Sequence, residues 1–219
     1  MNLGWVIQMA GTITSDVIKP PAPPRGGGFG GGGGPDGRGA SRRASMTGLM
    51  VLLAATTMAF AAFTSAFVVR RGMSNDWVAT PLPRIVWANT AILLVSSLLL
   101  ELARRAVKSG RRTGFNRYWT AGTVLGALFL AGQALAWRQL NAEGIFVSSN
   151  PSSSFFYLLT ATHGVHIVGG LTALVYVDIQ ALTLRLGPGK RTAVDVSTMF
   201  WHFVDGLWIY LMVLFLVWG

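Results

Sequence analysis

Cysteine is absent from this chain and charge is scarce: 8 acidic residues and 3 histidines occur among 219 positions, and charged residues of both signs make up only 12%. Without cysteine there is no disulfide, no thiolate metal site, no thioether-linked haem and no cysteine nucleophile. Any metal would fall to histidine and carboxylate. The chain also has no phosphate-binding glycine loop, no serine, histidine and aspartate in a nucleophile-turn arrangement, and no acidic loop cluster for a divalent cation. These gaps remove most of what a soluble enzyme would use.

What is present is apolar. Hydrophobic residues make up 52% of the chain and its mean hydropathy is positive, which places it in a membrane. Five apolar runs lie at 48–69, 85–106, 118–137, 155–177 and 198–218. Each is about 20 residues or more, enough to cross about 30 Å of hydrocarbon at about 1.5 Å per residue. Backbone polar groups in lipid must be satisfied within the segment, so the expected fold is all-α, a polytopic bundle of five transmembrane helices over residues 46–219.

Residues 1–45 have a different composition. Leu3 to Ile13 is too short for a span and has no basic residues before it, so it reads as neither a signal peptide nor a membrane helix. Pro20, Pro21, Pro23 and Pro24 lead into Gly26 to Gly28 and Gly30 to Gly34, a composition that cannot offset ordering entropy by burial. A disordered cytoplasmic tail is expected. Only Arg25 and Arg38 flank the glycines, without a repeat, so an RNA-binding segment is not supported and no nucleic-acid partner is expected.

The net charge of +10 reads as topology. Of the 18 basic residues, all but Arg70, Arg71, Arg84 and Arg138 fall on one side of the membrane if the spans alternate. By the positive-inside rule the N-terminus is cytoplasmic and the C-terminus outside.

Ionisable residues within apolar spans are costly and require a partner, water or a function. His163 and His166 stand three apart on the fourth span, and His202 and Asp205 three apart on the fifth, so each pair shares one helix face. Counting depth along antiparallel helices puts His166 and Asp205 at nearly the same level, which predicts a contact between them. The residues alone leave several readings open: a structural interhelical pair, a lipid-headgroup or water site, a four-ligand metal site, or haem ligation or a proton relay. Glu101 lies one turn from Arg104 and Arg105 and reads as a helix-end ion pair. Small residues at Gly122, Gly126, Gly164, Gly169 and Gly170 suit close helix approach.

Several of these stretches carry a resemblance. F-F-Y-L-L-T-A-T-H-G-V-H-I-V-G-G from Phe155 to Gly170 and W-H-F-V-D-G-L-W from Trp201 to Trp208 are similar to two signatures of subunit III of the haem-copper terminal oxidases. N-T-A-I-L-L-V-S-S from Asn89 to Ser97 resembles a third run of that family, and Gln133 and Trp137 stand at matching spacing. The resemblance covers Gly48 to Gly219 and looks like the five-helix bacterial form. It implies a subunit of the bacterial plasma membrane with no cofactor of its own, flanking a catalytic subunit I that bears haem and copper. It also implies bound phospholipid and support for turnover, proton uptake and proton pumping, with His163, His166, His202 and Asp205 as a structural or lipid-binding cluster rather than metal ligands. Relatives carry a glutamate in the first span where this chain has Thr56, so that residue's role does not transfer. Two alternatives stay open: a related accessory protein of nitric oxide reduction, and a free-standing membrane enzyme using the histidines and Asp205 with a metal or haem.

Overall fold

A computed structural model describes residues 35–73, 77, 84–183 and 191–218. The proline- and glycine-rich tail before Pro35, the prolines at 81 and 83, and the basic residues Arg185 and Lys190 lie outside the described residues. Five helices occupy what is described: α1 Pro35–Met73, α2 Arg84–Lys108, α3 Arg112–Ala142, α4 Pro151–Leu182 and α5 Arg191–Trp218. No strand occurs among the described residues. Each helix contains a window apolar enough to cross a membrane, and each runs past its apolar window into polar or basic ends. The protein is therefore an all-α, multi-pass membrane protein. α1 begins at Pro35, so residues 35–45, expected in the tail, belong to this helix.

α2 and α3 form an antiparallel hairpin, closed by a short turn in which Gly110 takes φ +75°. The seam is visible in the spacing. Buried positions on α2 are Val86, Asn89, Leu93, Ser96, Leu100 and Ala103; on α3 they are Phe115, Trp119, Gly122, Gly126, Phe129, Gln133, Ala136 and Leu140. Alternating steps of three and four residues keep one stripe facing its partner, as in a left-handed supercoil. Gly122 lets Leu100 come close: a Cβ there would stand 2.9 Å from the leucine side chain.

α4 starts cleanly. Asn150 Oδ1 accepts from the Ser153 amide at 2.9 Å, Ser153 Oγ accepts from the Asn150 amide at 3.2 Å, and Pro151 occupies the first turn, where its missing N–H costs nothing. The preceding turn, with Gly144 at φ +78°, is tied to α4 by the Tyr157 hydroxyl, whose single hydrogen has Asn141 Oδ1 and the Ile145 carbonyl as acceptors, each at 2.9 Å.

α5 is the axis of the bundle, packing against α1, α2 and α4 and reaching α3 through its tryptophans. Trp201, Trp208, Val204 and Leu211 are fully buried. Trp201 occupies a slot that two glycines leave open: a Cβ on Gly126 of α3 would stand 2.7 Å from its ring, and one on Gly170 of α4 would stand 3.2 Å away. α1 packs most lightly, through the stripe Leu49, Thr56, Phe60 and Phe67. Its opposite face (Val51, Met58, Val69) is exposed, as are Leu98 on α2, Val165 on α4 and Val213 on α5. In lipid such a rim has nothing to lose by exposure, and association rests instead on close packing and interhelical hydrogen bonds.

The glycine slot yields a test. Gly126→Ala should destabilise the bundle by about 1–3 kcal/mol, because the rigid Trp201 ring cannot yield. Gly169→Ala, with nothing within 4 Å of its Cβ, should leave stability unchanged. Unfolding in mixed micelles, compared side by side, measures the difference.

Candidate functional site

The polar groups of α2 form a ladder, each rung reaching another helix. Asn89 Nδ2 donates to the Phe129 carbonyl of α3 at 3.0 Å, and Ser96 Oγ to the Gly122 carbonyl at 2.8 Å. Thr90 Oγ1 accepts from Trp208 Nε1 of α5 at 2.9 Å while donating to its own helix at Val86. Ser97 Oγ lies 2.5 Å from His202 Nδ1 of α5. The stripe facing α3 carries Asn89 and Ser96, and the neighbouring stripe facing α5 carries Thr90 and Ser97. One helix thereby clamps two partners.

His163 is fully buried on α4, and its ring lies against Trp208 with centroids 5.0 Å apart and planes 32° apart. Phe129 meets it edge-on at 6.2 Å, and neither ring nitrogen has a hydrogen-bond partner. It packs as an aromatic ring. His166, half-buried one turn on, holds the Thr162 carbonyl at 2.8 Å through Nδ1 and meets Phe60 of α1 at 5.7 Å.

On α5, His202 pairs with Ser97 through Nδ1, and its Nε2 stands 3.8 Å from Glu101 Oε2. Glu101 accepts from Arg104 Nε at 2.7 Å and Nη2 at 2.9 Å, and from Arg105 Nε at 3.0 Å. Arg104 also reaches Asp195 of α5 at 3.9 Å. Asp205 is only 4% exposed and neither carboxylate oxygen accepts a hydrogen bond.

The contact expected between His166 and Asp205 does not form. Depth was the basis for that expectation, and depth does not specify azimuth. On α4 it is His163 and Ile167 that turn into the core, while His166 turns towards α1; on α5 the Asp205 carboxylate is buried with no hydrogen-bond partner. The four residues are thus divided: His163 is in an aromatic stack, His166 is against Phe60, His202 is paired with Ser97, and Asp205 is buried without a hydrogen-bond partner. Among the described residues, no group of three or more histidine and acidic side chains converges as a metal site.

Other polar partners escaped the sequence reading. Thr120 Oγ1 of α3 donates to Asp178 Oδ1 of α4 at 2.7 Å, next to a Trp119 Nε1 bond to the Leu174 carbonyl at 3.0 Å. Asp178 lies one position past the expected end of the fourth span at Val177, yet α4 continues to Leu182. Continuing the helical period past the apolar run would have found it. Ser97 stood in a run resembling the family, but its pairing with His202 gave no signal, because a serine in a membrane helix does not disclose its partner.

Five apolar helices fastened by side chains that bond to one another define a polytopic helical membrane protein built around interhelical polar clamps. The cytochrome c oxidase subunit III family model matches residues 42–219, and the chain belongs to that family. It is 33% identical to a probable cytochrome c oxidase subunit 3 of Nocardia farcinica over 166 residues, which cover 74% of this chain and 82% of the relative. The corresponding protein of Mycobacterium bovis is 31% identical over the same shares. Cytochrome c oxidase subunit 3 of Thermostichus vulcanus is 30% identical over 178 residues, 76% of this chain and 84% of the relative.

The His163 environment separates packing from chemistry. His163→Phe should keep stability close to the parent, since ring contacts persist and no hydrogen bond is lost. His163→Ala should cost about 2–4 kcal/mol through the cavity left beside Trp208. Stability of both variants in micelles, with tryptophan fluorescence, checks the pair.

Proposed function

We propose that the chain serves as the non-catalytic subunit III of a haem-copper respiratory terminal oxidase, supporting oxygen reduction and proton pumping by a neighbouring subunit I through lipid binding and complex stability. The observation that carries this reading is the use made of the signature residues. Asn89, Thr90, Ser96, Ser97, Trp201 and Trp208 all engage other helices of the same chain, so the pattern that marks the family maintains a scaffold. Haem and copper then belong to the partner subunits, and the apolar rim is covered by lipid and by those subunits.

A phospholipid position is available where α1 ends and α4 begins. A groove of about 730 Å³ lies there, with apolar walls from Ala66, Val69 and Phe155 beneath a rim of Ser149, Asn150 and Arg70. Acyl chains suit the walls, and hydroxyl, amide and guanidinium groups suit a phosphate headgroup. The chain sits in the bacterial plasma membrane with its N-terminus cytoplasmic, which places this groove on the outer side.

Purification in mild detergent tests the assignment. The chain should arrive with large haem- and copper-bearing subunits and show no haem spectrum when isolated. Haem or stoichiometric metal on the isolated polypeptide would end the subunit reading, and co-purification with a nitric oxide reductase would reassign it. Arg70→Gln should weaken retention of anionic phospholipid about fivefold, at about 1 kcal/mol per basic side chain near a lipid surface, measured by mass spectrometry of extracted lipid. Because no native cysteine interferes, single cysteines report the topology directly. Ser109→Cys should react only with reagent inside the cell, and Ser149→Cys with reagent outside.

A further inference from the structure

α5 has a strip that its neighbours leave uncovered. α1 and α2 both pack against α5, α1 through the Tyr210 hydroxyl bond to Thr64 and α2 through the Trp208 bond to Thr90, yet they have no substantial contact with each other. Between them His202, Gly206, Ile209 and Val213 follow at spacings of four, three and four residues, which keeps them on one helix face. Ile209 and Val213 are exposed, and so are Leu94 and Leu98 of α2, one turn from Ser97 and Glu101. Gly206 is exposed as well, and a Cβ on it would meet nothing within 4 Å.

Two features set this strip apart from the rest of the apolar rim. The first is His202. Its Nδ1 is engaged by Ser97, but Nε2 stands 3.8 Å from Glu101 Oε2, beyond hydrogen-bond length, and Glu101 is already held by three hydrogen bonds from Arg104 and Arg105. The side chain is 38% exposed although it lies four residues inside the apolar run that begins at 198, about 6 Å at about 1.5 Å per residue. Hydrocarbon offers Nε2 no partner, and a polar group at that depth is costly until a bonding group meets it. The second feature is Gly206, a further turn inwards at about 12 Å by the same count, below the reach of lipid headgroups. It leaves the α5 backbone bare, so another backbone can approach closely. An acyl chain gains from neither feature, and a helix gains from both.

We infer that this strip receives a transmembrane helix of a neighbouring subunit, which packs its backbone on Gly206 and sets a hydrogen-bonding side chain against His202 Nε2. Given the proposed place of the chain in a terminal oxidase, that neighbour is an integral subunit of the same complex. Leu94 and Leu98 of α2 line one side of the incoming helix, and the Tyr210 to Thr64 bond marks its limit towards α1. The groove at Ser149 and Arg70 lies between α1 and α4, so lipid and helix have separate places on the bundle.

The test uses the whole complex in its own membrane. Photo-reactive benzoylphenylalanine in place of Ile209 should, on illumination, join the chain to another subunit, and peptide mass spectrometry should locate the adduct within an apolar segment of that subunit. Gly206→Leu should leave the stability of the chain itself unchanged, because the new side chain enters open space, while lowering co-purification of the other subunits about tenfold, as overpacking of a close helix contact does. Should Gly206→Leu fail to insert, the photo-probe at Ile209 decides alone. Adducts with phospholipid only, or with a second copy of this chain, would overturn the inference, as would a Gly206→Leu complex that holds its subunits as firmly as the parent. Any of these results in a parent chain that still co-purifies with haem-bearing subunits leaves the oxidase reading standing. A parent chain purified without such subunits would end both.

Discussion

Hydrogen bonds from one face of α2 to its neighbours are what the rest of this bundle depends on. Lipid tails are as apolar as leucine, so five greasy helices gain little from turning their apolar faces to each other. Direction has to come from groups that lipid cannot satisfy. Asn89 and Ser96 supply it towards α3, and Thr90 and Ser97 towards α5, with each bond adding about 0.6 kcal/mol in typical membrane proteins. The modest size of each contribution explains why several are strung along one helix at intervals of about two turns.

Steric fit works with the polar clamps. Trp201 and Trp208 supply large rings on α5, and Gly126 and Gly170 remove the side chains that would block Trp201. His163 contributes a ring of matching size beside Trp208. These contacts account for the clustering of glycine, tryptophan and histidine in the stretches that mark the family. The same economy leaves His202 and Asp205 over from packing, one partly exposed and paired with Ser97, the other buried without a hydrogen-bond partner.

Much of the architecture was legible in the chain. The five apolar runs predicted five helices because a helix is the only open segment that satisfies its own backbone in lipid, and the helices extend beyond those runs because the interface accepts polar side chains at their ends. The cap that starts α4, Asn150 with Ser153, rests on local chemistry as well. The grouping of the ionisable residues was not. His163 and His166 share a helix face on a three-residue spacing, yet one points into the core and the other at α1, because each interior helix has neighbours on several sides.

What the sequence by itself determined was everything set along the chain axis: the number of spans, the absence of thiol chemistry, the depth of each polar residue and the family to which the stretches belong. Periodicity and length carry that information, and both are local. What only the tertiary structure decided was rotation about each helix axis and the choice of neighbour. Rotation depends on side chains more than a hundred positions apart, such as Ser97 and His202, meeting across a packed interface. A turn of about 100° per residue exchanges one partner for another with little change of depth, and so His166 meets Phe60 of α1 instead of Asp205 of α5.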